Sequence, residues 1–250
     1  ESDLAGGRGV EVQQSASLSL AASALVGNRD VALFATGAGT TVTVADSLIA
    51  STLPQESDLA NGIGVRAQKD ASLSLAGSAL VGNRNVALGA AGGGTTVTVV
   101  ESLLAETLPQ ESDGAYGAGA ISDYGAHLEL IGSVVRESTT AAVLVTKANA
   151  DLVGTLLEGV TEGRFHTYLC EEGGGCEILA TYDGLADGLV VAFESTAIGR
   201  DTRIAGASRA ALIFEASVGS LHGVEAAGGR FGLVLQHGAS VDYADPSNAL

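Results

Sequence analysis

Residues 16–28 read ASLSLAASALVGN, and residues 71–83 read ASLSLAGSALVGN. The similarity extends outward from this stretch until residues 1–55 match residues 56–110 without a gap, with 40 of 55 positions identical. Self-similarity at a fixed period is typical of solenoids, in which each unit is too small to bury its own apolar face and is stabilised by stacking on its neighbours. The repeat therefore predicts one continuous stack of coils over residues 1–250.

Each 55-residue unit contains two coils, because residues 16–20 (ASLSL) return in altered form as residues 40–44 (TTVTV). A hydroxyl residue follows each of these strands and predicts a ladder of stacked side chains. The ladder consists of Ser23, Ser47, Ser78, Ser102, Ser133 and Thr155. Asn28 and Asn83 come five residues after their serines, and we expect turns there because Asn tolerates left-handed backbone angles.

Apolar residues between these corners alternate with period 2, as in Leu18 and Leu20 or Val42 and Val44, which is the pattern of a strand with one buried face. Short β-branched strands at a period of about 22 residues, separated by Gly, Asn or Ser turns, favour three parallel sheets wound as a β-solenoid. The predicted fold class is all-β, with about nine or ten coils and a length of about 45 Å at ~4.8 Å per rung.

The sequence repeats a pattern of small residue, apolar strand, Ser-x-Leu and turn Asn, which is clearest over residues 9–28 and 64–83. This pattern resembles that of the right-handed parallel β-helix repeat proteins. That superfamily includes the pectate lyase and polygalacturonase families, and the chain looks most like tandem-duplicated bacterial surface repeats of unassigned function. The resemblance implies a single right-handed parallel β-helix and says little about activity. On this interpretation residues 111–162 are a diverged third unit, 163–187 an irregular insertion with a Cys pair, and 188–250 the C-terminal coils.

Composition excludes some functions. The formal net charge of −17 disfavours nucleic acid, because phosphate contacts need clustered Lys and Arg. No apolar run approaches the ~18 residues of a membrane span. Cys170 and Cys176 bracket a Gly-rich segment and predict a disulfide, with free thiols or half of a metal site as alternatives; a disulfide would indicate an extracellular or cell-surface location.

Alternate coils carry an insertion, LPQESD at 53–58 and again at 108–113. Both insertions are expected at one corner of the coil, two rungs apart, which would place Glu56 and Asp58 about 10 Å from Glu111 and Asp113. Such a column of carboxylates is a candidate Ca²⁺ site, and no other cofactor is expected. The alternative is a pair of solvated loops whose charges keep the rod soluble.

Outward strand positions next to the buried Leu and Val residues predict a flat grid of hydroxyl groups. The grid consists of Ser17, Ser19, Thr41, Thr43, Ser72, Ser74, Thr96 and Thr98. Regular arrays of this kind look like the ice-binding faces of some β-helical antifreeze proteins, and a flat polar face also suits polysaccharide. Ordinary outward strand residues are the alternative, since the next rung has His127 and Glu129 instead.

Catalytic candidates are few, and the irregular segment after Gly163 holds most of them. They are His166, Tyr168, Glu171, Glu172 and Asp183, with His127 from the diverged unit. Tyr124, His127 and His166 are expected to be able to meet across adjacent coils. No matching Asp-Asp pair, no Asp-x-His and none of the other catalytic strings of the polysaccharide lyases and hydrolases is present, so the sequence favours a protein without catalysis.

The predicted function is therefore a non-catalytic extracellular or surface-displayed rod that acts as spacer, adhesin or glycan-binding scaffold, with polysaccharide or another cell-surface component as partner. The alternatives are a polysaccharide-active enzyme with its site near residues 163–188, and an ice-binding face. Because residues 1–110 repeat nearly the same surface, unique chemistry is expected only after Gly114, above all around Cys170. Further repeats of a longer chain are expected to cover the N-terminal edge.

Overall fold

The computed structural model describes residues 7–170 and 176–250, and for 167–170 and 176–180 it describes the backbone alone. Three large sheets contain almost all the strands, numbered here in chain order. Sheet A contains β1 (Val10–Gln13), β4 (Val31–Thr36), β7 (Ile63–Gln68), β10 (Val86–Ala91), β13 (Ala118–Asp123), β16 (Ala141–Thr146), β21 (Asp187–Ala192), β24 (Ala210–Glu215) and β27 (Phe231–Gln236). Sheet B contains β2 (Ser17–Ala21), β5 (Thr41–Ala45), β8 (Ser72–Ala76), β11 (Thr96–Val100), β14 (His127–Ile131), β17 (Asn149–Val153), β22 (Thr196–Arg200), β25 (Val218–His222) and β28 (Ser240–Asp242). Sheet C contains β3 (Ala24–Val26), β6 (Leu48–Ala50), β9 (Ala79–Val81), β12 (Leu103–Ala105), β15 (Val134–Arg136), β18 (Leu156–Glu158), β23 (Arg203–Ala205) and β26 (Glu225–Ala227).

Every pairing within these three sheets is parallel, and the chain passes from A to B to C before it rises to the next coil. Sheets A and B each have nine strands, so the described residues form nine coils, as the periodicity predicted. The coils pair in the register that the repeat predicted, with Leu18 beside Val42 and Val42 beside Leu73. The predicted parallel β-helix is therefore confirmed. Within the described residues no helix is long and apolar enough to cross a membrane.

The core fills the inside of the coil because the inward residues of each strand are apolar and the turns between sheets accept left-handed backbone angles. Leu33, Leu88 and Val143 are fully buried at equivalent strand positions in different coils of sheet A. Leu75 and Val99 are fully buried at equivalent positions in sheet B. Burial of each such side chain stabilises the fold by roughly 1.5–3 kcal/mol relative to its exposure to water. A single apolar cluster runs from coil to coil along the axis and holds the stack together.

Serine hydroxyls form the predicted ladder at the start of sheet C. The amide of Ser23 donates to Ser47 Oγ (3.0 Å), and the amide of Ser47 donates to Ser78 Oγ (3.0 Å). The same bond joins Ser78 to Ser102 and Ser102 to Ser133. Each hydroxyl from Ser47 to Ser133 therefore satisfies an amide of the preceding coil, and a buried amide left unsatisfied would cost about 1–3 kcal/mol. Thr155, the predicted last member of the ladder, donates instead to the carbonyl of Leu130 (2.9 Å).

Asn28 and Asn83 lie at the predicted corner, but they do not have the left-handed angles. Gly27 and Gly82 before them, and Asp30 and Asn85 after them, take positive φ values instead. Asn83 is buried, and its Oδ1 accepts hydrogen bonds from the amide (3.2 Å) and the hydroxyl (2.7 Å) of Thr52 in the preceding coil. Asn83 thus links coils through its side chain rather than shaping the turn.

Insertions leave the coil after β6, β12 and β18 of sheet C and return to sheet A. The first two lie side by side, with the amide of Ser112 bonded to the carbonyl of Leu59 (3.0 Å). The third was expected to be irregular, but it forms the antiparallel hairpin β19 (Gly163–Cys170) and β20 (Cys176–Leu185). Gly163 follows Leu108 by the repeat length of 55, so the hairpin is the third copy of the insertion in enlarged form.

Candidate functional site

The outer face of sheet A differs from the other two faces because the insertions end where its strands begin. They cover the outward residues at the head of each strand, so Val31, Ile63 and Val86 are buried although they point away from the coil. The next outward position along the strands is occupied in successive coils by Glu11, Phe34, Arg66, Gly89 and Ile121. This row decides whether the face is closed or open.

In the first repeat the face is closed by an aromatic ring. Phe34 is only 6% exposed and packs with Val31 and Ile63 in a small cluster outside the coil. The guanidinium of Arg8 lies 4.1 Å from the centre of its ring and forms an ion pair with Glu11 at 2.8 Å. The ring and the arginine leave no room on this part of the face.

In the second repeat Gly89 stands where the first has Phe34, and the face opens. A cavity of about 380 Å³ lies over coils 3 to 5, which is within the range of ordinary ligand pockets. It is called the amide cavity below. It is lined by Ala60, Asn61, Ile63, Arg66, Asn85, Val86, Gly89, Ala90, Ala91, Gln110, Tyr116, Ile121 and Asp123.

Carboxamides form one wall of the amide cavity and are held by one another. Asn61 Nδ2 donates to Asp30 Oδ1 (2.8 Å), and Asn85 Nδ2 donates to Gln110 Oε1 (3.2 Å). Gln110 Nε2 donates in turn to Asp113 Oδ1 (2.7 Å). This chain of hydrogen bonds fixes the amide orientations, so a ligand meets donors and acceptors at set places.

Arg66 and Asp123 form the charged part of the amide cavity. Burial lowers the pKa of Arg66, and the attraction of Asp123 and Asp30 opposes this shift. Burial also raises the pKa of Asp123, against a hydrogen bond from Thr146 Oγ1 (2.7 Å). Two opposite charges that are both short of solvent are a common feature of binding and catalytic sites.

The hairpin closes the far end of the amide cavity through Tyr116. The rings of Tyr116 and Phe165 meet edge to face with centroids 5.2 Å apart, and Tyr116 Oη donates to the carbonyl of His166 (3.1 Å). His166 is buried, with Nδ1 at 2.9 Å from Thr181 Oγ1 and Nε2 at 3.4 Å from Asp113 Oδ2. His166 therefore anchors the hairpin to the second insertion.

The catalytic candidates do not converge. His127 lies on the outer face of sheet B, 3.8 Å from Asp151, whereas His166 is held between the hairpin and the second insertion, so His127 and His166 do not share a site. The reason is that strand β14 and the hairpin lie on different sides of the coil. Asp183 is exposed and pairs with Arg164 at 2.7 Å. The side chain of Tyr168, together with Glu171 and Glu172, lies outside the described residues.

The four calcium candidates occupy two equivalent loops, where each has another partner. Glu56 pairs with Arg29 (3.1 Å) and Glu111 with Arg84 (2.9 Å). Asp58 and Asp113 accept hydrogen bonds from the glutamine three residues earlier and the amide two residues later. In the described ranges no three His, Cys, Asp or Glu side chains are grouped as metal ligands, and calcium binding stays a prediction.

The disulfide prediction concerns side chains outside the described residues, although the backbone register places Cys170 opposite Cys176. The hydroxyl grid lies on sheet B in the expected register, with Ser17 beside Thr41 and Thr41 beside Ser72. Its hydroxyls bond to one another, Ser17 to Thr41 at 2.7 Å and Thr96 to Ser72 at 3.1 Å. These pairs leave fewer free hydroxyl groups for an ordered layer of water.

Comparison with solved structures addresses the fold. The chain is similar to a protein described as the crystal structure of pectate lyase Pel9A, with a TM-score of 0.53 and 10% sequence identity over 94% of this chain and 70% of that one. The chain has the right-handed parallel β-helix fold. No protein-family model matches the sequence, and no curated protein matches it. At 10% identity this β-helix shares an architecture with the lyase, and its site must be judged from its own residues.

The sequence contains a signal for the amide cavity in the positions at which the two repeats differ. Ten of the lining residues belong to the second repeat, and six of those differ from the first repeat, although only 15 of all 55 positions differ. The six are Asn61, Ile63, Arg66, Asn85, Gly89 and Ala91. The cavity thus lies largely before Gly114, in a region where the sequence predicted no unique chemistry, because one change from Phe to Gly opens it without altering the coil.

Proposed function

We propose that this β-helix is a non-catalytic glycan-binding protein of the cell surface or extracellular space, and that the amide cavity holds the saccharide. The observation that supports this most directly is the concentration of differences between the two repeats at the cavity. The core positions of the repeats stay alike because they hold the stack, so changes gathered at one opening indicate a separate role for it.

The chemistry of the walls suits a saccharide. Sugar hydroxyl groups donate and accept hydrogen bonds, and the side chains of Asn61, Asn85 and Gln110 offer both functions at fixed positions. Tyr116 adds a ring whose face can pack against the C–H groups of a pyranose and whose hydroxyl is already bonded. A few fixed polar groups in a concave, partly apolar site are the general pattern of small-ligand recognition.

A neutral glycan fits better than a polyanionic one. The chain carries a net charge of −17, which repels anionic polymers at a distance. The one guanidinium that lines the amide cavity, Arg66, is balanced by Asp123 on the same wall. An uncharged polymer such as a glucan, mannan or xylan is not repelled by the net charge and needs no unpaired cation in the cavity.

The shifted pKa values of Asp123 and Arg66 favour one second candidate, a polysaccharide-active enzyme. An acid whose pKa is raised by burial can donate a proton at a glycosidic oxygen. A glycosidase, however, uses two carboxylates about 5–10 Å apart, and Asp123 is the one carboxylate among the residues that line the cavity. Release of reducing ends from a bound polysaccharide, lost on Asp123→Asn, would favour the enzyme over the binding protein.

The test uses the place where the two repeats differ most. In Gly89→Phe the added Cβ has its closest neighbours at 3.9 Å, so the ring can enter the cavity as Phe34 does in the first repeat. The matched control is Gly93→Phe, where a Cβ meets nothing within 4 Å. Both variants and the wild type are applied to an array of neutral and acidic polysaccharides, and each positive glycan is then titrated by calorimetry.

We expect the wild type and Gly93→Phe to bind the same neutral glycan and Gly89→Phe to lose at least about tenfold in affinity, since the ring fills the cavity. Unchanged binding by Gly89→Phe, or no binding by the wild type to any glycan of the array, would contradict the proposal. Thermal unfolding of the three proteins shows that the substitution acts on the site and not on the fold.

A further inference from the structure

A second cavity lies on the same outer face of sheet A, beyond the hairpin, over coils 6 to 8. Its volume is about 120 Å³, and its walls are mainly apolar and aromatic, unlike those of the amide cavity. It is called the aromatic cavity below. The side chains that matter most are Leu144, Phe165, Tyr182, Val190, Phe193 and Ile213.

The two cavities are neighbours on the outer face of sheet A. Tyr116 lines the amide cavity, Phe165 lines the aromatic cavity, and their rings touch edge to face. The centres of the two cavities are about three rungs apart, or roughly 14 Å at ~4.8 Å per rung. One ligand of several sugar units can therefore reach both cavities, with the ring pair as the ridge between them.

Phe193 is placed in the aromatic cavity at a conformational cost that the fold does not require. It has φ 59° and is 38% exposed, and a left-handed conformation is unfavourable for a bulky side chain. In other coils the same turn uses Gln14, Lys69 or Gly92, and Tyr124 places a second aromatic ring there, exposed and outside both cavities. Because the turn also forms without an aromatic ring, the fold does not require one at Phe193, and of these two rings Phe193 is the one that lines a cavity.

A fixed cation borders the aromatic cavity. Arg209 makes a two-point ion pair with Asp187, which is fully buried, and 40% of the arginine side chain stays exposed. A guanidinium held by its edge presents its face, and such a face stacks on flat aromatic groups. The cavity therefore combines a planar cation with the rings of Phe165, Tyr182 and Phe193.

We infer that the aromatic cavity binds a single-ring aromatic acyl group, esterified to the glycan that occupies the amide cavity. An apolar cavity of about 150 Å³ accepts benzene, so about 120 Å³ with an open mouth accepts one ring. The inference rests on the proposed function and extends it by naming the ligand class as an aroylated glycan. The ester carbonyl would lie at the margin, toward Arg209.

The test uses methyl ferulate as the probe, because it contains the aromatic acyl ester without a sugar. Its binding to the full 250-residue chain is titrated by NMR for the wild type, Phe193→Gly and Tyr124→Gly. Tyr124 is the matched control because it has an exposed ring at the same turn two coils earlier, with φ 50°, outside both cavities. Glycine suits positive φ, so neither variant should lose stability.

Phe193→Gly should weaken binding of methyl ferulate about fivefold, as expected for the loss of one ring contact, and Tyr124→Gly should leave it within about twofold. Gly89→Phe should not change it, because that variant fills only the amide cavity. No binding of methyl ferulate by the wild type, or an equal loss in Phe193→Gly and Tyr124→Gly, would overturn the inference. A neutral glycan bound with unchanged affinity in Phe193→Gly would at the same time leave the proposed function standing.

Discussion

The first and second repeats have the same coil and different outer faces. Leu33 and Leu88, or Val44 and Val99, are inward pairs that agree in identity or size and burial. Phe34 and Gly89, one residue further along the strand, point outward and differ most in size. The pleat of the strand thus separates two tasks, because inward positions hold the stack while the outward neighbours are free to change.

The difference also shows how each outer face affects the stability of the fold. In the first repeat the outward ring is stabilised by Val31, Ile63 and the guanidinium of Arg8. In the second repeat that stabilisation is absent, and Arg66 and Asp123 are short of solvent around the opening. An open cavity is therefore less favourable for stability than a closed face, which is typical of functional sites.

The largest effect is expected from opening the first repeat. Phe34→Ala removes a ring that is 6% exposed, and we expect the free energy of unfolding to fall by about 3 kcal/mol, as for other buried Phe truncations. Urea unfolding followed by circular dichroism measures it. Gly89→Ala is the control and should change stability by less than about 1 kcal/mol; equal losses in the two variants would mean that the two faces are packed alike.

A smaller effect is expected at the serine ladder. Ser78 is buried between two coils and accepts the amide of Ser47, so Ser78→Ala should cost about 1–2 kcal/mol by leaving that amide unsatisfied. Ser23, its counterpart in the first repeat, lies at the end of the described ladder and donates only to the carbonyl of Ala21 (2.8 Å). Ser23→Ala should therefore cost less than half as much in the same urea experiment, and a reversed order would contradict the ladder.

The smallest effect concerns pH and compares the third unit with the second, since Asp123 stands where the second repeat has Gln68. Burial raises the pKa of Asp123, so the folded chain binds its proton more tightly than the unfolded chain. The stabilisation that this group contributes is therefore lost as pH rises from its pKa in the unfolded chain, near 3.9, through its raised pKa in the folded chain. Asp123→Asn should lack this decline.

The measurement is the urea midpoint of the wild type and Asp123→Asn from pH 3.5 to 7. We expect the urea midpoint of Asp123→Asn to rise relative to that of the wild type as pH increases. The difference between the two midpoints should level off above the raised pKa of Asp123. Glu101→Gln, which removes an exposed carboxylate in the neighbouring coil, controls for the change in net charge. A wild type and Asp123→Asn with parallel curves would show that burial does not disfavour the charged form.

Much of the fold was predictable from sequence because its determinants repeat. The period-2 alternation around Leu18 and Val42 gave the inward face, and the spacing from Ser23 to Ser133 gave the stacking order, both of which the structure bears out. The hairpin was not foreseen as regular. Its strands pair with each other and, through one isolated bridge between Arg164 and Ala115, with the second insertion. They carry no copy of the coil pattern, so no periodicity predicted them.

The amide cavity was missed for a different physical reason. A search for acids and histidines does not detect a missing side chain, and the feature that opens the cavity is the absence of a ring at Gly89. The burial of outward residues such as Ile63 by the insertions was also hidden, because an insertion's sequence does not show which sheet it covers. Comparison of the two repeats, position by position, would have pointed to Asn61, Arg66 and Gly89.

The most direct test compares the two repeats inside one molecule. A ¹⁵N-labelled chain is titrated with the tightest-binding neutral oligosaccharide of the array, and shifts of backbone amide resonances are mapped. We expect large shifts at Arg66, Asn85 and Gly89 and none at Glu11, the counterpart of Arg66 in the first repeat, which lies in the first coil and away from the cavity. Equal shifts in both repeats, or shifts confined to the hydroxyl grid of sheet B, would contradict it.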